Sequence, residues 1–198
     1  GNSANLNWFV GGSYFKEDAT VNTSLPIIDT ALGLGVIAED RVRTDGTTES
    51  VGVYADLQWA LSDKLSFTLG TRWSRDERDW CTTGTSTAGF NVGTGGQTLC
   101  DAESWSKVTP RIIVDYRPVD GIMLFASATK GYKGGGFNTY AADTNGDGLG
   151  DLVVPFDPET NVAYELGVKS EPLDGRMRLN ASIFQNDYDN LQIQTATL

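Results

Sequence analysis

The 198-residue sequence contains no histidine. That removes Ser-His-Asp and Cys-His catalysis, and with them the commonest metal ligand. Cysteine is nearly absent as well. Cys81 and Cys100 are the two present, too few for a zinc site built from thiolates alone. No stretch approaches the roughly 18 consecutive apolar residues of a membrane helix. Basic residues are scarce, with 15 Lys and Arg against 26 Asp and Glu and a net charge of −11. A chain so acidic is unsuited to the phosphate backbone of nucleic acid, which calls for clustered Lys and Arg. Carboxylates are plentiful, yet no pair stands in a recognisable catalytic context of the glycosidase kind. An enzyme is not expected.

Mean hydropathy is −0.26, the value of an ordinary soluble chain. A membrane barrel gives a similar average, because lipid-facing and lumen-facing residues alternate along each strand. Alternation is what this sequence has. In 51–61, Val51, Val53, Ala55, Leu57, Trp59 and Leu61 share one phase, and Gly52, Tyr54, Asp56, Gln58 and Ala60 share the other. Leu65, Phe67, Leu69, Thr71 and Trp73 repeat the pattern against Ser66, Thr68, Gly70, Arg72 and Ser74. A period of two places an apolar band on one side of a strand. Seven strands are expected, at about 5–15, 50–61, 64–77, 105–117, 121–133, 161–171 and 175–194. In the fifth, Phe125 falls on the opposite phase from Ile122, Leu124 and Ala126.

The connections alternate in length. Short ones fall at 61–64, 117–121 and 171–175, and long ones at 16–49, 78–104 and 134–160. Sorting of this kind marks outer-membrane barrels, with short periplasmic turns and long extracellular loops. Trp59 and Tyr116 beside short turns, and Trp73 and Tyr132 toward long loops, suit interfacial girdles. Bacterial barrels have even strand numbers, so seven strands suggest a sheet cut from a larger barrel. The opening Gly1-Asn2-Ser3 lacks the basic start and apolar run of an export signal. The sequence is therefore expected to begin after such a signal, or within a longer chain. Cys81 and Cys100 bracket a Gly/Thr/Ser-rich stretch, 82–99, expected to be a loop closed by one disulfide in an oxidising compartment. Much of the acidity lies in stretches that read as loops: Glu17-Asp18, Asp76-Glu77 and 143–151.

Residues 132–138, Tyr-Lys-Gly-Gly-Gly-Phe-Asn, open a further pattern. It continues through Phe156-Asp157-Pro158-Glu159-Thr160, Tyr164-Glu165-Leu166-Gly167-Val168-Lys169 and 173–188. In order and spacing this resembles the β-barrel of TonB-dependent receptors, with "GYKxGGFN" followed by "F-x-PE" and "YE-x-G-x-K". The strand Asn7 to Phe15 is also similar to one of that family. The resemblance implies an all-β, antiparallel transmembrane barrel segment belonging to a 22-stranded barrel. It implies active uptake of a scarce, bulky nutrient, such as a ferric siderophore, cobalamin or an oligosaccharide, across the bacterial outer membrane. The implied partners are outer-membrane lipid, the remainder of the barrel, a plug domain and, through the plug, TonB. Residues 1–198 read wholly as barrel, and no plug is recognisable in them.

The motif residues Gly131, Tyr132, Lys133, Gly135, Gly136, Phe137, Asn138, Pro158, Glu159, Tyr164, Glu165, Gly167 and Lys169 all have structural readings as barrel residues. Gly134, Gly135 and Gly136 suit a chain leaving the membrane, since glycine tolerates positive φ. Glu165 and Lys169 fall on the lumen-facing phase. Asp143, Asn145, Asp147 and Asp151 match D-x-N-x-D-G-x-x-D, the ligand pattern of short calcium loops, although Val154 stands where an EF-hand has its bidentate Glu. Calcium is the one cofactor this suggests. The acidic loop and disulfide also suit a second reading, a soluble or surface-attached calcium-dependent β-sandwich that mediates binding or adhesion.

Overall fold

A computed structural model describes residues 1–3, 5–29, 35–86, 94–138, 141–144, 150–172 and 176–193. Its strands are β1 (Asn2–Ser3), β2 (Leu6–Asp29), β3 (Gly35–Ala60), β4 (Leu65–Ser86), β5 (Thr98–Tyr116), β6 (Ile122–Lys133), β7 (Gly136–Phe137), β8 (Pro155–Phe156), β9 (Glu159–Ser170) and β10 (Leu179–Asp189). Eight of them form one antiparallel sheet in the order β1-β2-β3-β4-β5-β6-β9-β10, and β7 and β8 form a two-stranded ribbon. A β-sandwich needs two sheets packed face to face, and this single-layered meander does not supply them.

The register shows how alternation becomes two faces. Trp8, Leu57, Leu69, Ile112, Ala128 and Tyr164 stand in one row across six strands, and Leu6, Trp59, Phe67, Val114, Ala126 and Leu166 in the next. Among the described residues nothing covers this face: Val10 is 67% exposed and Ile183 72%. Val42, Phe137 and Val153 are the buried hydrophobic side chains among the described residues. Apolar surface left open on this scale is a contact surface, and a band of strand-length height is lipid-facing. Trp59 and Tyr116 lie exposed on it near the short turns, and Trp73 toward the other end.

The opposite face carries most of the polar and charged side chains, and its long ones lie against their neighbours. Phe9, Asp56, Gly70, Arg111, Thr129 and Ala163 make one of its rows. The Arg111 guanidinium donates to Asp56, with Nε at 2.9 Å, and Arg72 donates to Ser13 at 2.9 Å while lying 5.6 Å over the Tyr54 ring. Glycines make room for these long side chains. A Cβ on Gly70 would come within 2.6 Å of Arg111 Nε and Asp56 Oδ2, and one on Gly52 would collide with the Arg72 guanidinium. Phe125 is out of phase with its apolar neighbours because it belongs to this face. A Cβ on Gly167 would come within 2.5 Å of its ring, and the Lys169 ammonium lies 5.3 Å from the ring centre.

Short turns gather at one end and lock together through the backbone. Arg117 N–H donates to Lys64 O at 2.7 Å and Glu171 N–H to Gly121 O at 2.7 Å. Gly121 has φ of 75°, in the left-handed region that favours glycine. The other end departs from the sequence reading. Residues 16–29 and 35–49 are not loop but continuations of β2 and β3, paired almost to their tips, and 78–86 and 98–104 likewise prolong β4 and β5. Glu17, Asp18, Asp76 and Glu77 thus sit in strands. Above the lipid band both faces of a strand meet water, so the backbone ladder persists while hydrophobic alternation ends. Cys81 and Cys100 stand directly opposite each other in the β4–β5 register and are joined by a disulfide.

Two outcomes follow for the protein in a lipid bilayer. Val10→Arg, placed mid-band on the outer face, costs roughly 2–4 kcal/mol of stability in lipid vesicles, measured by denaturant titration. Val10→Leu leaves it unchanged. Removing the bridge with Cys81→Ala and Cys100→Ala costs about 3 kcal/mol on the chain-entropy model, seen as faster amide exchange in 98–103 than in 108–114.

Candidate functional site: the inner face beneath the β6–β9 connection

The inner face carries its most elaborate packing toward the long-loop end. There the chain leaving β6 turns inward and lies across β4 and β5. Phe137, 6% exposed, stacks on Trp80 at 6.3 Å between ring centres and meets Trp105 at 6.3 Å. A Cβ on Gly134 would come within 2.9 Å of Asp76 Oδ2, and one on Gly135 within 2.5 Å of both Phe156 O and the Trp105 ring. A Cβ on Gly136 would meet Phe156 at 2.6 Å and Arg78 Nη1 at 2.7 Å. None of these three has positive φ, since among the described residues the positive-φ glycines are Gly95, Gly96 and Gly121. The glycine run therefore serves close approach rather than an unusual backbone turn, which corrects the reading made from sequence.

Some of the remaining motif residues border this arch, and Tyr164, Glu165, Gly167 and Lys169 lie further along β9 toward the short turns. Gly131 and Lys133 end β6 opposite Asn161 and Glu159 of β9. Tyr132 was expected in the outer girdle; it is instead half-buried near Asp76 and Arg78. Asn138 N–H donates to Val154 O at 3.4 Å. Pro158 leads into β9, where Glu159 Oε2 accepts from Gln192 N–H at 2.9 Å. Gln192 Nε2 also donates to Gly134 O at 3.0 Å and Asp157 O at 3.2 Å. Glu165 lies on the inner face between Ser127 and Phe184, while Tyr164, 50% exposed, belongs to the outer band.

Asp76, Arg78, Trp80, Trp105 and Gln192 escaped the sequence reading. Arg78 and Trp80 lie in 78–104, taken as loop. The available signal was that they extend the even-numbered inner phase of Gly70, Arg72 and Ser74. Of the calcium motif, Asn145 and Asp147 lie outside the described residues. Asp151 accepts from the Thr144 hydroxyl at 2.9 Å, and no group of three or more metal-ligating side chains occurs among the described residues. The calcium expectation rests on the sequence motif alone.

Charge on the β2–β3 extension is arranged in pairs. Arg41 holds Glu39 at 2.6 Å and Arg43 holds Asp45 at 2.9 Å. Hydrogen bonds from Arg41 and Ser24 keep the Glu39 carboxyl below its ordinary range, and those from Arg43 and Thr20 do the same for Asp45. All are exposed, so salt screens them and each contributes little.

A single-layered sheet with an apolar outer band, a polar inner wall and turns sorted by end is an arc of a transmembrane β-barrel. The family model "TonB dependent receptor-like, beta-barrel" matches residues 1–198, and the chain belongs to this family. Its members are transporters of the Gram-negative outer membrane, not enzymes. The chain is 32% identical over 127 residues to the metal-pseudopaline receptor CntO of Pseudomonas aeruginosa, covering 64% of this chain and 16% of that one. It is 28% identical over 148 residues to a ferric-pyoverdine receptor of Pseudomonas putida, covering 73% of this chain and 16% of that one. In fold it resembles the ferric yersiniabactin uptake receptor FyuA from Yersinia pestis. The TM-score is 0.75 at 22% identity, over 98% of this chain and 28% of that one. The chain thus spans about a sixth of the length of these two curated relatives.

Gly135→Ala is expected to lift the arch and expose the bond after Lys133. Trypsin should cut there roughly tenfold faster than in the wild type, as expected when a buried aromatic contact is lost. Because the Glu39 and Asp45 carboxyls are lowered on folding, their contribution is present above the unfolded carboxylate range. It is lost as pH falls through their lowered folded values, beneath the ordinary carboxylate range. Thermal melting of the receptor should show a small, salt-sensitive loss in that window, reduced in Glu39→Gln/Asp45→Asn.

Proposed function

We propose that this chain forms part of the barrel wall of a TonB-dependent outer-membrane transporter that takes up a metal chelate of the ferric siderophore kind. Family membership across the whole chain carries the reading. Two relatives bear names that specify metal or ferric chelates, which favours this cargo over cobalamin or an oligosaccharide. The inner wall supports it as well: Arg72, Arg111, Arg78 and the aromatic rings of Trp80 and Trp105 line the face turned away from lipid. Such a surface holds solutes of mixed polar and aromatic character. In this reading a plug fills the completed barrel, and TonB, driven by the proton gradient, pulls on it.

Uptake of radiolabelled iron by energised cells tests the proposal. Deleting the gene should abolish growth on at least one ferric siderophore as sole iron source. Uptake should also cease on loss of TonB or on collapse of the proton gradient. Uptake of labelled cobalamin or oligosaccharide instead, with iron siderophores unaffected, would reject the cargo. Uptake indifferent to TonB would reject the mechanism.

A further inference from the structure

The arch at 134–137 rests on an unusual underside. Within the protein, Arg78 Nε, Trp80 Nε1 and Asn161 Oδ1 are buried without a hydrogen-bond partner, while the Tyr132 hydroxyl is directed at the Asp76 carboxylate. All three lie at or beside this segment. Arg78 approaches Gly136, Trp80 stacks on Phe137, and Asn161 faces Gly131 across the β6–β9 ladder. Buried polar groups are nearly always hydrogen-bonded, and leaving them unmet opposes the arrangement that buries them. Acting against that penalty are the aromatic slot for Phe137 and the clasp from Gln192. The clasp comes from the neighbouring connection: beyond β10, Asn190 adopts φ of 52°, and the chain returns to place the Gln192 side chain on Gly134 O and Asp157 O.

We propose that residues 134–138 form a strap with two positions. In the packed position Phe137 fills the Trp80–Trp105 slot. In the lifted one it leaves the slot, and water or polar groups of a bound solute meet the three orphaned atoms. Gln192 sets the balance, so the β6–β9 connection and the connection after β10 move as one unit. Favourable and unfavourable terms meet at the same few residues, so groups that contact one position better than the other shift the population between them. This inference concerns the chain's own motion and does not depend on which solute is carried.

Hydrogen–deuterium exchange of the full-length receptor in detergent, read on peptides spanning 132–138, tests it. Gln192→Ala removes both carbonyl bonds and should raise exchange there about tenfold. Asn161→Ala and Trp80→Phe each delete an orphaned group. They should therefore slow exchange about threefold or more, the opposite direction. Unchanged or faster exchange in both variants would overturn the two-position strap. Unchanged exchange in Gln192→Ala would overturn the coupling. Peptides from β3 serve as the folding control: they should stay at the wild-type rate, and a rise throughout the sheet in Gln192→Ala would count against a local clasp.

Discussion

Everything in this structure depends on the antiparallel backbone ladder. In hydrocarbon no water is available to a free N–H or C=O, so each strand must find its partners in the neighbouring strands. The ladder leaves the side chains to divide between two faces, and it needs no hydrophobic core to hold them. That is why a chain of this size buries so few apolar side chains yet keeps long, regular pairing from β2 to β10. Lipid supplies on the outer face what a second layer of protein supplies in a soluble domain.

On the inner face, space is the limiting quantity. Long side chains such as Arg72, Arg111 and Phe125 lie down along the sheet, and a glycine on a neighbouring strand accommodates each. The same device recurs at the arch, where Gly134, Gly135 and Gly136 let backbone rest on Asp76, Trp105 and Arg78. The wall and the connection above it are therefore built by one rule, a glycine wherever another group must come close. The arch differs in consequence because it joins two connections, through Gln192, rather than two strands.

Much of the wall was legible in the sequence. Val51 to Leu61 and Leu65 to Trp73 declare their two faces by simple alternation, and the short turns declare the end at which they lie. Legibility stops where burial stops. From Lys16 to Asp29 and from Gly35 to Glu49, pairing is sustained by backbone hydrogen bonds and by cross-strand partners such as Lys16 and Glu49. Neither leaves a hydrophobic period to read. The site was harder still. Gly134 to Phe137 stand out as a motif, but their partners Trp80, Trp105 and Gln192 are distant in sequence, and only the fold brings them together. Glycine signals that something is near without saying what.

The extended hairpin of β2 and β3 has a consequence for how this surface is recognised. Its side chains alternate between two sides, and residues adjacent in space, such as Thr20 and Asp45 or Asp18 and Thr47, come from different strands. A short linear peptide from 36–48 carries both sides at once and lacks the partner strand. An antibody raised against such a peptide meets a different pattern of side chains from the one the folded ridge presents. An immunogen that reproduces this ridge needs both strands in register, which makes the paired hairpin, rather than any continuous stretch of sequence, the smallest unit of its antigenic identity.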